Sequence, residues 1–293
     1  MFVAPALLVF AGCTSATPSP APPRAPESAA AAAAGPSYEG LDASLWIQTA
    51  EEARLLRQVA YAAATRALDE ALADPARAAY GTASASAAPP AAVLDLDETA
   101  LDNSRYNAWL TVRGERFGPA SWSAWVEAAE ATAIPGAIEF ARAARERGVT
   151  LFYVSNRDAP MEAATRRNLQ ELGFPLDSSH DTVLLRGERP EWSSDKSSRY
   201  EQVASSHRVL VLIGDDLNDF VPVPAGATPE TRRQLVEPYR ARFGRDWFLL
   251  PNPVHGSWMR AATAARPGVE PGSSETERKL QALELFHPAG SPP

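Results

Sequence analysis

Residues 91–103 read AAVLDLDETALDN, and this stretch decides the fold. Its first four residues form an apolar run with the length and composition of a buried strand. Two acids, Asp95 and Asp97, follow the run directly. In an open parallel sheet, ligands bind outside the carboxyl ends of the strands. The stretch therefore predicts a central parallel strand that carries chemistry at its carboxyl end.

Further apolar runs follow along the chain, at 149–154, 182–185, 209–213 and 247–250. Segments typical of helices lie before and between the runs, at 42–73, 136–147, 194–206 and 229–242. Strands that alternate with helices form a parallel sheet with right-handed crossovers. The sequence therefore predicts an α/β fold, in which helices cover both faces of a Rossmann-like parallel sheet.

Two predicted helical elements lie outside this alternation. The segment 42–73 predicts one long helix, with Asp42 as its N-cap and Asp74-Pro75 after its end. Positions at spacings of three, four and seven predict its buried stripe: Leu45, Glu52, Leu56, Val59, Ala63 and Ala67. A long insertion at 104–134 follows the first strand, in the position of a cap over the site.

The composition narrows the chemistry that the fold can carry. Of the 293 residues, 45% are hydrophobic and 22% are charged, as in a globular protein. A formal net charge of −8 without a basic block predicts no binding of nucleic acid. One cysteine and four histidines without an HExxH pattern exclude a disulfide framework and predict no zinc site. The chemistry must come from carboxylates, hydroxyls and lysines.

The first residues read MFVAPALLVFAGC, an apolar stretch too short to span a bilayer, with small residues before Cys13. This stretch resembles the end of a bacterial lipoprotein signal, in which the cysteine is lipidated. The Pro- and Ala-rich residues after it cannot bury enough surface to fold. The expected divisions are a signal peptide at 1–12, a tether at 13–40, a folded domain at 41–286 and a frayed tail at 287–293. We expect a protein anchored by lipid at Cys13 in the cell envelope, in the outer membrane or at the cell surface.

Polar residues follow the other apolar runs in a fixed order. Ser155 stands in VSNR, Lys196 in DKSSRY, and Asp215 and Asp219 in GDDLNDF. Each has an ordinary explanation alone, as a turn residue, a helix cap or a solvated side chain. Their common position after predicted strands favours one shared site.

At these motifs the chain resembles the class C nonspecific acid phosphatases of the haloacid dehalogenase (HAD) superfamily. Members of that family are bacterial lipoproteins that hydrolyse phosphate monoesters, including 5′-nucleotides. The segment PNPVHGSW, at 251–258, resembles the closing segment of the family. The resemblance covers roughly residues 41–262 and implies an HAD-like fold with a small helical cap.

The resemblance also implies catalytic roles. Asp95 would attack phosphorus and form an aspartyl-phosphate, and Asp97 would act as general acid and then as general base. Because Asp97 must hold a proton for part of the cycle, we expect an acidic optimum. Ser155, Asn156 and Lys196 would bind the phosphate oxygens.

The same resemblance implies a Mg²⁺ cofactor. A phosphate dianion repels carboxylates, so a cation must lie between them, and Mg²⁺ prefers oxygen ligands. The implied ligands are the carboxylates of Asp95 and Asp215 and the backbone carbonyl of Asp97. Asp219 would orient a metal-bound water.

The substrate site is predicted at His255, Trp258 and Trp109. His255 stands where the family commonly has a tyrosine, and no aromatic residue precedes Asp95 closely. Because nucleobases bind by stacking on aromatic rings, we expect this protein to prefer nucleotides over aryl phosphates less strongly than the family does. Glu98 is left out of the site, because a continuing strand would turn it to the opposite face.

The expected partners are small phosphate monoesters, nucleotides and aryl phosphates among them, and a homodimer remains open. Two alternatives to hydrolysis also remain open. One is a phosphotransferase or phosphomutase on the same fold. The other is a non-catalytic phosphate-binding or storage protein, against which the Asp95 and Asp97 pair argues.

Overall fold

The computed structural model describes residues 1, 39–81, 88–264 and 273–284. Four predicted features lie outside these residues: the signal peptide beyond Met1, the lipidation site Cys13, most of the tether and the tail. The strands are β1 (Pro90–Leu94), β2 (Leu101–Asp102), β3 (Thr132–Ala133), β4 (Thr150–Asp158), β5 (Val183–Arg186), β6 (Arg208–Gly214) and β7 (Trp247–Leu249). The helices are α1 (Leu41–Thr49), α2 (Glu51–Ala73), α3 (Ser104–Arg113), α4 (Pro119–Ala128), α5 (Ala137–Glu146), α6 (Glu162–Leu172), α7 (Ser197–Ala204), α8 (Pro229–Val236), α9 (Ser257–Ala262) and α10 (Glu275–Gln281).

The main sheet has five parallel strands in the order β5-β4-β1-β6-β7. The chain runs outward from β1 to β4 and β5, and then returns to β6 on the other side of β1. The strand order therefore reverses next to β1, and such a reversal opens a crevice at the carboxyl ends of the strands. The predicted HAD-like α/β fold is confirmed.

Each face of the sheet has its own hydrophobic core, because side chains alternate along a strand. Ala92 and Leu94 of β1 pack with residues of α2, α5 and α6. Ala91 and Val93 pack on the opposite face, with residues of α7 and with Trp247. The five predicted apolar runs are all strands, as their burial on both faces requires.

The predicted helix at 42–73 is two helices, which separate at the extended residue Ala50. The predicted buried stripe is wrong at Leu45, Glu52, Leu56 and Val59, which are exposed. The buried face of α2 instead contains Ala53, Arg57, Tyr61, Ala64, Ala67, Leu68 and Ala71. The face is displaced because Arg57 and Tyr61 bind the loop after β1: Arg57 Nη1 donates to Asp102 Oδ2 at 3.2 Å, and the Tyr61 hydroxyl donates to the Thr99 carbonyl at 2.8 Å.

The predicted helix at 229–242 ends early, since α8 gives way to a short 3-10 helix, Glu237–Arg242. Pro238 lacks the N–H that an α-helix needs there. The insertion 104–134 holds α3 and α4, and β2 pairs with β3 at its base in an antiparallel two-stranded sheet. None of the described helices has both the length and the apolar character that crossing a bilayer requires.

Candidate active site

Asp95 follows β1 directly and is fixed from two directions. Its backbone N–H donates to the Ile213 carbonyl of β6 at 2.9 Å. Lys196, just before α7, donates from Nζ to Asp95 Oδ1 and, at 2.7 Å, to Asp219 Oδ1. Asp95 and Lys196 are both buried. The predicted nucleophile and the predicted phosphate-binding lysine are therefore neighbours.

Burial and charge act on the two groups in opposite ways. Burial raises the pKa of Asp95 to about 7, although the Lys196 ammonium opposes the shift. Burial alone would lower the pKa of Lys196, but the carboxylates of Asp219 and Asp95 raise it well above its ordinary value. Lys196 is therefore a permanent cation, and further positive charge nearby would favour the ionised form of Asp95.

Three acids converge at the carboxyl end of β1. Carboxylate oxygens of Asp95, Asp215 and Asp219 lie within 4.8 Å of one another. Thr99 Oγ1 donates to Asp215 Oδ1 at 3.1 Å, and Asn252 Nδ2 donates to Asp215 Oδ2 at 2.7 Å. Burial and the charges of Asp219 and Asp95 raise the pKa of Asp215 well above its ordinary value. Three oxygen donors in this arrangement could hold a hard divalent cation.

Asp219 reaches the cluster because Gly214 has no side chain. A Cβ atom at Gly214 would collide with the Asp219 side chain. Asp219 Oδ2 accepts hydrogen bonds from the backbone N–H groups of Asp215, at 3.1 Å, and of Asp216, at 2.9 Å. The Asp216 carboxylate has other contacts and accepts from the backbone N–H of Ser257 at 2.5 Å. Of the two adjacent acids, only Asp215 joins the cluster.

Asp97 is surrounded by hydrogen-bond donors. Arg157 donates to Asp97 Oδ1 from Nε at 3.1 Å and from Nη2 at 2.7 Å. Asn103 Nδ2 donates to the same oxygen at 2.9 Å, and Ser155 Oγ donates to Asp97 Oδ2 at 3.4 Å. Burial alone would raise the pKa of Asp97, but the Arg157 guanidinium holds it below its usual range. The predicted acid/base residue is thus fixed in place by a buried cation.

Ser155 and Arg157 reach Asp97 from the same strand. β4 continues beyond the predicted end at Val154, as far as Asp158. Side chains two residues apart on a strand lie on the same face, so Ser155 and Arg157 approach the site together. Ser155 Oγ also accepts the Arg157 backbone N–H at 3.1 Å.

Asn156, predicted as a phosphate ligand, has both ends of its amide engaged. Its Nδ2 donates to the Ser194 carbonyl at 3.0 Å, and its Oδ1 accepts from Arg199 Nη2 at 2.7 Å. Arg199 also donates to the Ser155 carbonyl from Nη1. Asn156 therefore joins the end of β4 to the segment that carries Lys196.

Glu98 lies at the site, and the expectation that it faces away is wrong. The strand ends at Leu94, and Glu98 has a left-handed backbone with φ +59°. Its buried carboxylate accepts from the Asn103 backbone N–H at 3.2 Å and from Asn107 Nδ2 at 3.3 Å. It also pairs with His255 Nε2 at 3.0 Å. The turn after β1, and not a continuing strand, decides where Glu98 points.

The three predicted substrate residues differ in their surroundings. The backbone N–H of His255 donates to Asn252 Oδ1 at 3.3 Å, and Asn252 in turn donates to Asp215 of the cluster. Trp258 is 40% exposed, and its Nε1 donates to the Asn252 carbonyl at 3.1 Å. Trp109 is 42% exposed and stacks on Tyr106, with ring centroids 6.2 Å apart. His255 is the one of the three with a side-chain contact to a site carboxylate.

The residues around the site that received no role from the sequence are Glu98, Asn103, Arg157 and Asn252. Arg157 had a signal, since it stands two residues after Ser155 and alternation along a strand puts both on one face. Asn103 lies inside the quoted stretch 91–103, but its distance from Asp97 along the chain does not predict the hydrogen bond between the two side chains. Glu98 depends on a left-handed turn that the sequence does not mark.

Comparison with known proteins gives one consistent result. Residues 42–258 match the family described as HAD superfamily, subfamily IIIB (acid phosphatase). The class C acid phosphatase from Bacillus anthracis is 33% identical, with a TM-score of 0.72, over 85% of this chain and 98% of that chain. A structure of the B. anthracis class C acid phosphatase with tungstate bound is 32% identical, with a TM-score of 0.73 and the same coverage.

These matches agree with the fold and with the four motifs that converge at the carboxyl ends of β1, β4 and β6. The identity exceeds what a shared fold alone would give, and it extends over nearly the whole length of the solved relatives. The chain therefore belongs to the acid phosphatases of HAD subfamily IIIB and is a phosphatase enzyme of the class C type.

Proposed function

We propose that this enzyme hydrolyses a broad range of phosphate monoesters, 5′-nucleotides included, with Mg²⁺ and through an aspartyl-phosphate at Asp95. The observation that carries the proposal is the surroundings of Asp95. Its carboxylate pairs with the Lys196 ammonium, and it has an oxygen within 4.8 Å of carboxylate oxygens of Asp215 and Asp219. Tungstate is a tetrahedral oxyanion like phosphate, so the tungstate-bound relative supports an oxyanion site here. Because the chain is a phosphatase, the non-catalytic alternative is set aside.

The residues at the cluster fit a divalent cation. Three carboxylates, of Asp95, Asp215 and Asp219, face the single ammonium of Lys196, which leaves an excess of negative charge in a buried place. All the donors are oxygens, the ligand type that Mg²⁺ prefers. When bound, Mg²⁺ would balance this charge and the charge of the phosphate dianion. We propose Asp95 and Asp215 as its carboxylate ligands, with the Asp97 backbone carbonyl and with Asp219 in support.

The chain's own residues supply the bond changes. An Asp95 oxygen attacks phosphorus, and the bond from phosphorus to the ester oxygen breaks as Asp97 gives that oxygen a proton. Water then attacks the phosphorus of the aspartyl-phosphate and loses a proton to Asp97, which releases phosphate and restores Asp95. Lys196 and the Ser155 hydroxyl stabilise the charge on the phosphoryl oxygens.

The test is phosphate release from a panel of monoesters between about pH 4 and 8, with EDTA and after Mg²⁺ is restored. We expect release at acidic pH, loss in EDTA and recovery with Mg²⁺. Asp42→Asn, on the exposed start of α1, is a matched control that should behave as wild type. Release that is indifferent to EDTA would contradict the metal requirement. Added glycerol reveals a phosphotransferase, because alcohol phosphate would then replace free phosphate.

We also propose that the protein is anchored in the cell envelope by lipid on Cys13. The support is the sequence alone: an apolar stretch ends in Ala-Gly before Cys13, and a Pro- and Ala-rich segment follows. Wild-type protein should partition into detergent, and Cys13→Ser protein should remain aqueous or unprocessed. Wild-type protein that stays aqueous and keeps residues 1–12 would contradict the anchor. Light scattering on the same preparations tells a monomer from the homodimer that the sequence leaves open.

A further inference from the structure

An ion pair between Glu98 and His255 lies beside the catalytic acids. Glu98 Oε2 and His255 Nε2 are 3.0 Å apart. The Glu98 side chain is 5% exposed, whereas the His255 side chain is 46% exposed. The carboxylate therefore lies underneath, and the imidazole faces the solvent. A histidine that served only to neutralise a buried acid would have no need of so open a position.

The Glu98 carboxylate is held as an acceptor. Asn103 donates to it from the backbone N–H at 3.2 Å and from Nδ2 at 3.4 Å, and Asn107 Nδ2 donates at 3.3 Å. An ionised carboxylate only accepts hydrogen bonds, so His255 Nε2 must be the donor of the pair. A carboxylate 3.0 Å from Nε2 favours the charged form of the imidazole. The outward end of the pair is thus a cation, and no residue among those that the structure describes accepts a hydrogen bond from its Nδ1–H.

The cation is placed on the side of Asp97. Asn103 Nδ2 contacts both Asp97, at 2.9 Å, and Glu98, at 3.4 Å, so one side chain separates the pair from the acid/base residue. Asp97 is the residue that meets the leaving oxygen in the proposed reaction. Through Glu98 and Asn103, His255 is therefore linked to the residue that meets the leaving group.

We propose that His255, held by Glu98, binds an anionic group on the alcohol part of the ester. The preferred substrates are then phosphate monoesters whose leaving group carries a carboxylate or a second phosphate. This inference rests on the proposed function, because it needs Asp97 on the leaving-group side. A hydrogen bond between a cation and an anion is stronger than one between neutral groups, which gives the preference its physical basis.

The test compares two esters that differ at one position, 3-phosphoglycerate and glycerol 3-phosphate. The first has a carboxylate where the second has a hydroxymethyl group. The wild-type enzyme should show the higher kcat/KM with 3-phosphoglycerate. His255→Gln should lower the ratio of the two values about tenfold, mainly through KM of the anionic ester. His255→Lys, which keeps a cation, should retain most of the preference.

His180→Gln is the matched control, because His180 is an exposed histidine paired with Asp177 away from the cluster, and its ratio should equal that of wild type. Calorimetric binding of both esters to Asp95→Asn protein gives the same comparison without turnover. Equal ratios in wild type and His255→Gln, by rate and by calorimetry, would overturn the inference. Failure of the wild type to hydrolyse either ester or p-nitrophenyl phosphate would instead contradict the proposed function.

Discussion

The active site has two sides, and they treat neighbouring carboxylates in opposite ways. The acidic side consists of Asp95, Asp215, Asp219 and Lys196, and the donor side consists of Asp97, Arg157, Asn103 and Ser155. On the acidic side, burial raises the pKa of Asp95 to about 7 and raises that of Asp215. On the donor side, Arg157 holds the pKa of Asp97 low against the effect of burial.

The difference indicates how the short stretch 95–97 can supply two carboxylates with different roles. The acidic side has one ammonium, on Lys196, for three carboxylates, so these carboxylates ionise fully only when a further cation joins them. The donor side is complete without one, because Arg157 and Asn103 already fix the Asp97 carboxylate. In the proposed mechanism, a nucleophile that depends on metal and an acid/base residue that depends on protein donors thus stand two positions apart in the chain.

The largest expected effect comes from removing either carboxylate. Asp95→Asn should abolish turnover, since no other group takes over the attack on phosphorus. Asp97→Asn should lower kcat by about 10²–10⁴-fold, the usual contribution of acid/base help. The measurement is phosphate release under saturating Mg²⁺, with Asp42→Asn as control. More than a few per cent of wild-type activity in Asp95→Asn would contradict the assignment of Asp95 as the nucleophile.

The metal dependence should belong to the acidic side alone. Asp215→Asn should weaken Mg²⁺ activation by about tenfold or more, because a charged ligand is removed. Asp216→Asn should change it far less, since the Asp216 carboxylate is engaged by Ser257. A Mg²⁺ titration of activity compares these adjacent variants. Small and equal shifts in both would mean that the acidic side does not hold the metal.

Arg157 should matter most for esters with poor leaving groups. Arg157→Met raises the pKa of Asp97 but leaves its carboxylate without the two hydrogen bonds that fix its position, so proton transfer to the leaving oxygen suffers through lost orientation. An alkyl ester such as glycerol 3-phosphate should lose about 100-fold in kcat/KM, and p-nitrophenyl phosphate, which needs little protonation, much less. Arg233→Met, at an exposed arginine, is the control. Equal losses for both esters would assign Arg157 a role in the fold only.

The smallest effect, on stability, should have opposite signs on the two sides. In EDTA at neutral pH, Asp215→Asn should raise the Tm. The pKa of Asp215 is higher in the folded state than in the unfolded state, where it is about 3.9. Above that pH the charged carboxylate therefore destabilises the fold, and the substitution removes the charge. Asp97→Asn should lower the Tm, because the lowered pKa of Asp97 means that its charged form stabilises the fold. Below about pH 3 both differences should shrink as the acids become protonated. Thermal melts across this range measure the signs, and shifts of the same sign would contradict the contrast.

The sequence predicts the acidic side better than the donor side. Asp95, Asp215 and Lys196 follow strands that their apolar runs identify, and the carboxyl ends of parallel strands meet at one edge. The donor side depends on features that hydrophobicity does not report. Arg157 lies on a polar extension of β4, where Asp158 still pairs with Arg186 of β5.

Burial of charged residues explains why the predictions for the buried face of α2 and for Glu98 are wrong. The face of α2 is displaced by the buried Arg57, whose partner Asp102 lies far away in the sequence. The expectation that Glu98 faces away assumes that the strand continues beyond Asp95, and nothing in the sequence marks the left-handed backbone of this non-glycine residue. In each case a polar contact, and not an apolar pattern, sets the orientation, so the sequence alone does not reveal it.

The most direct test of the account is to trap the phosphorylated enzyme. Asp97→Asn protein is mixed with p-nitrophenyl phosphate and Mg²⁺ and quenched in acid, and its peptides are weighed by mass spectrometry. The slow attack of water in this variant should let the intermediate accumulate, so the peptide containing Asp95 should gain the mass of one phosphoryl group. The same treatment of Asp95→Asn protein should give no gain. Phosphate release without a labelled peptide, together with turnover by Asp95→Asn, would contradict Asp95 as the nucleophile.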